Sequence, residues 1–133
     1  MSPLTVFLAR LIGLFTILVV VLLLMRGSTI IGATVADAPV MLAYAIISLA
    51  IGIAMVVGHN VWCGGALPVV VTIVGWLILA KGLLLLLLEP AALLGLFEAM
   101  HFGEHYYLLL GPAFVIGGYL TWAGFTTPIA RSS

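Results

Sequence analysis

Residues 39–90 read PVMLAYAIISLAIGIAMVVGHNVWCGGALPVVVTIVGWLILAKGLLLLLLEP, and this stretch decides the fold. Two apolar runs of helical length flank a short turn, Cys63-Gly64-Gly65-Ala66. Each run is long enough, at ~1.5 Å rise per residue, to cross a ~30 Å hydrocarbon layer. Asp37-Ala38-Pro39 is a helix start, with an acid at the N-cap and proline in the first turn. Pro68 opens the second run, where its missing N–H costs nothing. Glu89-Pro90 closes it after six consecutive leucines, Leu83 to Leu88. A turn this short makes the two runs antiparallel neighbours.

Outward from this hairpin the same pattern repeats. Leu4 to Met25 is apolar apart from Arg10, and is too long for the apolar region of a signal peptide. Tyr106 to Phe125 is a further run, with Pro112 placed for a mild kink. The expected spans are therefore 4–25, 39–58, 67–88 and 106–125. Gly27 to Ala38 reads as a linker that Ile30, Ile31 and Val35 lay on the membrane surface or on the bundle. Residues 91–105 are too short to span and read as a short interfacial helix, with Glu98 on its wet side. Composition agrees: of 133 residues, 65% are hydrophobic and 6% charged. A soluble domain is roughly a quarter charged. The expectation is a single all-α domain, an integral membrane antiparallel four-helix bundle with a short interfacial helix between spans three and four.

Zero formal net charge leaves no basic patch for nucleic acid. The one cysteine, Cys63, excludes an intrachain disulfide and reads as a small packing residue. Four spans put both termini and the 63–66 turn on one side. All four acids, Asp37, Glu89, Glu98 and Glu104, fall on the other. Arg10 and Arg131 favour cytoplasmic termini, while Arg26 and Lys81 pull the other way.

Helices associate in lipid by close packing, which small residues permit. Candidate packing stripes are Ala50, Ala54 and Gly58 on span two, and Thr72, Gly75 and Gly82 on span three. On span four they are Gly111 with Gly118 and Gly117 with Gly124; span one carries Ala9 and Gly13. Trp62, Tyr106, Tyr107 and Trp122 suit the interface, where an aromatic ring keeps one wet edge.

Lys81 is the one charge well inside a span, which makes it a candidate for an ion or ligand path. Its long stem also permits snorkelling, with Glu89 or Glu98 as partner. Helical phase sets it nearly opposite Thr72, away from the glycine face. Glu98, His101 and His105 are spaced i, i+3, i+7, and Glu104 is a further oxygen donor. On a continuous helix they would form a metal-ligand face for zinc, iron or copper. The blander reading is a set of polar residues at the headgroup level. No Gly-rich phosphate loop, nucleophile elbow or intramembrane acidic relay is present, so no cofactor is expected beyond that metal ion.

His59, Asn60, Trp62, Thr72, Gly75, Trp76, Lys81 and Gly82 give the pattern HNxW followed by TxxGWxxxxKG. It resembles a pattern of small uncharacterised bacterial four-span inner-membrane proteins over residues 59–90. The resemblance implies a bacterial inner-membrane location and a hairpin of spans two and three, and no activity. Physically, His59 and Asn60 can cap span two and Trp62 can anchor the turn; the functional reading makes them a ligand or ion path with Lys81. The leading expectation is a non-enzymatic accessory or scaffold subunit acting through helix packing, as a homo-oligomer or in a larger membrane complex. The alternatives are an oligomeric small-solute channel or transporter, and a metal-binding protein or enzyme using Glu98, His101 and His105.

Overall fold

The computed structural model describes residues 1–129. Six helices account for almost all of them: α1 (Pro3–Arg26), α2 (Ser28–Ala36), α3 (Ala38–Gly58), α4 (Ala66–Leu87), α5 (Pro90–Ala99) and α6 (Phe102–Thr126). No strand occurs among the described residues. α1 and α3 begin where the sequence provides a start. Ser2 accepts from the Thr5 N–H at the head of α1, and Asp37 from the Val40 N–H at 3.1 Å at the head of α3. Pro3, Pro39 and Pro90 sit in first turns. Gly27 (φ 74°) and Gly65 (φ 121°) hold backbone angles that suit glycine, between α1 and α2 and before α4. α4 stops at Leu87, shortly before Pro90.

α1, α3, α4 and residues Glu104–Thr126 of α6 are long and apolar enough to cross a bilayer. This is the architecture of a multi-pass membrane protein. Its outer surface agrees: Met25 and Val57 are 81% exposed and Leu87 79%. Such large apolar side chains ring the molecule, which in water would be one continuous aggregation surface.

The helices pack as two pairs. In the α3–α4 pair, Gly52 lies against Leu79, Gly82 against Leu49 and Gly75 against Met55. In the α1–α6 pair, Gly13 lies against Thr121, Gly117 against Thr16 and Gly124 against Arg10. In each pair numbers rise along one helix as they fall along the other, so the partners run in opposite directions. A Cβ on Gly52 would come within 2.5 Å of the Leu79 backbone, so glycine sets that interaxial distance.

Of two apolar clusters, the first joins the pairs and the second joins α2 and α5 to the α3–α4 pair. Ala9, Met55, Leu67, Val71, Leu120 and Ala123 form one, at the end that carries the α3–α4 turn. Val35, Met41 and Leu93 form the other, at the end that carries α2 and α5. The segment expected to be a linker on the membrane surface or on the bundle is helical over Ser28–Ala36, and it packs on the bundle. Ile31 and Val35 are one helical turn apart, and both join the second cluster. That burial supplies what nine residues lack in intrinsic helix stability. A cleft of about 420 Å³ opens beside this cluster, between α2, α3, α4 and α5.

Candidate functional site: polar fasteners of the helix pairs

The residues of the HNxW…TxxGW pattern converge around the α3–α4 turn. Thr72 is buried, and its Oγ1 accepts from the Val61 N–H at 3.0 Å. The same hydroxyl lies 2.9 Å from the carbonyl oxygens of Val61 and Pro68, and its single proton serves one at a time. One side chain therefore meets both main-chain groups of Val61 in the turn. His59, only 3% exposed, donates from Nε2 to the Pro68 carbonyl at 3.4 Å. Its own N–H closes α3 on the Met55 carbonyl at 2.7 Å. Asn60 Oδ1 accepts from Trp62 Nε1 at 2.7 Å and from Trp76 Nε1 at 3.4 Å. Two indoles from two segments thus share one amide oxygen. Cys63, at the apex, is exposed.

Lys81 stands elsewhere. On the register of the α3–α4 pair it is level with about Ala50, and His59 is nine residues, about 14 Å, further along the axis. The structure therefore does not bring Lys81 together with His59 and Asn60. Lys81 Nζ donates to Tyr44 Oη at 2.8 Å and lies 4.7 Å from the centre of that ring. Its partner is this phenol and neither Glu89 nor Glu98. Sequence reasoning missed Tyr44, because Tyr44 and Lys81 are 37 positions apart and only the pairing of α3 with α4 makes them neighbours.

Arg10, on α1, makes a defined contact with the end of α6. Its Nε donates to the Gly124 carbonyl at 2.8 Å, and its guanidinium lies 4.9 Å from the centre of the Phe125 ring. The cause is local to the end of α6. The Gly124 carbonyl belongs to the last turn of α6, Thr127 is extended, and Pro128, four residues on, has no N–H to offer. Arg10 supplies the missing donor, and Gly124 leaves room for its stem, 3.0 Å from where a Cβ would lie. The signal was present as a proline four residues after a glycine.

The stripes divide. Thr72, Gly75 and Gly82 are buried, Thr72 against the turn and the two glycines against α3; Gly117 and Gly124 are buried and face α1. Ala50, Ala54, Gly58 and Gly111 are exposed, and nothing lies within 4 Å of a Cβ on Gly58, Gly111 or Gly118. The inward face of α3 is instead Met41, Ala45, Ser48, Gly52 and Met55. Composition alone favoured the alanine stripe; the buried stripe is mixed in size, and only its phase toward α4 marks it. Trp62 and Trp122 are exposed, as are the ring of Tyr107 and part of that of Tyr106.

The 98–105 segment departs from a continuous helix. α5 ends at Ala99, and His101 takes left-handed angles (φ 49°, ψ 43°). His105 is non-helical inside α6 (φ −116°, ψ 18°). These two breaks remove the shared face that i, i+3, i+7 spacing requires. Glu98, His101, Glu104 and His105 are all exposed, and His105 Nδ1 lies 3.3 Å from the His101 carbonyl. Among the described residues, no three His, Cys, Asp or Glu side chains come together as a metal group. Arg131, used above for orientation, lies outside the described residues.

The chain matches no family model, no curated protein and no solved structure.

Proposed function

We propose that the protein is a non-enzymatic scaffold subunit of a membrane, acting through helix packing, and that its contact face is the outer stripe of α3. One observation carries this reading. Ala50, Ala54 and Gly58 lie four residues apart on the exposed side of α3, while all packing against α4 is done by the opposite side. Small residues at this spacing let a second helix approach to backbone contact. The occupant proposed is a second copy of the chain, because such a stripe is complementary to itself about a two-fold axis.

The surrounding architecture is a four-helix bundle of antiparallel neighbours, with α2 and α5 at one membrane interface. The two opposed pairs and the shortness of α2 and α5 support it. A bacterial inner membrane with cytoplasmic termini accords with the 59–90 resemblance and with Arg10 on the side of the termini. The polar residues support a structural role, since His59, Asn60, Thr72 and Arg10 are each used in fastening the chain to itself.

Cysteine cross-linking in native membranes tests the reading. In a Cys63→Ser background, Ala54→Cys should form a disulfide-linked dimer on mild oxidation. Ile53→Cys, exposed on another side of α3, should not. Equal linking at both positions, or none at Ala54 with a monomer in mild detergent, would overturn it.

A further inference from the structure

Lys81 belongs to a face of α4 that changes character along its length. Leu67, Val71, Val74 and Ile78 lead by three- and four-residue steps to Lys81 and on to Leu85. Leu67 and Val71 are buried against α1 and α6. Lys81 is exposed, and Leu85 then rejoins the cluster formed with α2 and α5. α6 shows the same change. Leu120 and Ala123 are buried at 0% and 6%, while Leu109 and Ile116, continuing that face toward the other end, are 60% and 37% exposed. Pro112, between them on the same face, is exposed too. The two helix pairs therefore meet near the α3–α4 turn and part beyond it, and Lys81 stands where they part.

The polar pair in this gap is incomplete. Among the described residues no carboxylate pairs with Lys81, so its only polar contact is the Tyr44 hydroxyl. That hydroxyl accepts from the ammonium and retains its own proton to donate. The gap thus offers two kinds of donor and one uncompensated positive charge within a hydrocarbon span, where a lone charge is costly and favours an anionic partner. The faces that part here carry apolar side chains, Ile78 on α4 and Leu109 and Ile116 on α6, so a water-soluble anion would find nothing else to bind. Asp37, Glu89, Glu98 and Glu104 all lie on the α2–α5 side but are exposed, where water and salt screen them.

We propose that this gap is a site for an anionic phospholipid from the leaflet on the α2–α5 side. The phosphate meets Lys81 Nζ and Tyr44 Oη. The acyl chains run toward the bilayer centre between Ile78 of α4 and Ile116 of α6. A zwitterionic lipid carries its own counter-charge and is the poorer ligand. The site is independent of the outer stripe of α3.

The experiment is lipid retention. The full chain is reconstituted in nanodiscs of mixed zwitterionic and anionic phospholipid, extracted in mild detergent, and its bound lipid measured by native mass spectrometry. Wild type should retain anionic phospholipid well above its share of the bilayer. Lys81→Met should lose this enrichment by about tenfold or more, the scale of one charge-assisted hydrogen bond. Tyr44→Phe should lose a smaller part. Arg26→Gln, which removes a cation at the end of α1, should retain it. Unchanged Trp62 and Trp76 emission would certify folding of each variant, since both indoles sit at the opposite turn. Enrichment that survives Lys81→Met, falls equally in Arg26→Gln, is absent from wild type, or consists of free fatty acid would overturn the proposal.

Discussion

Lys81 and Tyr44 meet across the α3–α4 pair six residues out of step with the pairing of the helices. Gly82 lies against Leu49 and Gly52 against Leu79, which places Tyr44 level with Leu87. The 2.8 Å hydrogen bond between the two side chains therefore bridges about 9 Å of axial offset. The lysine stem is drawn toward the α2–α5 end, the nearer interface. Snorkelling is thus fixed by a named acceptor, and the ammonium rests against a phenol ring that shields part of it.

A charge so placed does not serve stability. Lys81→Met keeps the length of the stem and removes the cost of holding an ammonium in a span. The variant should unfold in detergent at a Tm equal to or above that of wild type. A clear fall in Tm would show instead that the ammonium holds α3 to α4.

Thr72 should behave in the opposite way. Thr72→Val preserves shape and deletes the oxygen that serves the Val61 N–H and carbonyl. Leaving buried polar groups unmade costs about 1–3 kcal/mol, so the variant should show a lower Tm and altered emission from Trp62. Thr72→Ser keeps the oxygen and should lie close to wild type. Equal Tm for Thr72→Val and wild type would remove the hydroxyl from the account of the turn.

Glycines sort into two classes by what faces them. Gly52→Leu drives a side chain into the backbone of Leu79 and should separate α3 from α4, lowering the yield of folded protein. Gly58→Leu and Gly111→Leu meet nothing within the monomer and should leave its Tm within a few degrees of wild type. Gly58→Leu should nonetheless weaken dimer formation in mild detergent, if α3 makes the contact proposed above. The measurement is size exclusion alongside thermal unfolding.

The four long helices were legible because hydrocarbon leaves a coarse signature: about twenty apolar residues between turn residues, with Asp37, Pro39, Pro68 and Pro90 marking the ends. The hairpin of α3 and α4 was legible for the same reason. Helical phase against a neighbour was not. Ala50, Ala54 and Gly58 looked like a packing stripe and face outward, because nothing in one helix states where its partner lies. Helix α2 was missed since nine residues carry little pattern of their own, and their stability comes from Met41 on the next helix and from Leu93, distant in sequence. The Glu98–His101–His105 face depended on a helix that His101 breaks with a left-handed backbone, an angle that sequence spacing does not reveal.

Arg10 offers the sharpest check on the structural assignments, because its role has a built-in rescue. The guanidinium donates to the Gly124 carbonyl, which α6 leaves open in its last turn and which Pro128, lacking an N–H, cannot serve. Arg10→Met should therefore lower Tm by leaving that carbonyl at the end of α6 without a donor. Pro128→Ala should be mild alone, since Arg10 already fills the position. Combined with Arg10→Met, it should recover part of the loss by returning a main-chain N–H four residues beyond Gly124. The coupling between the two sites is the informative quantity, and a double-mutant cycle isolates it from the loss of the Phe125 contact, which Pro128→Ala cannot restore. Strictly additive Tm changes would mean that Arg10 acts through its stem and the Phe125 ring, with the carbonyl contact contributing nothing.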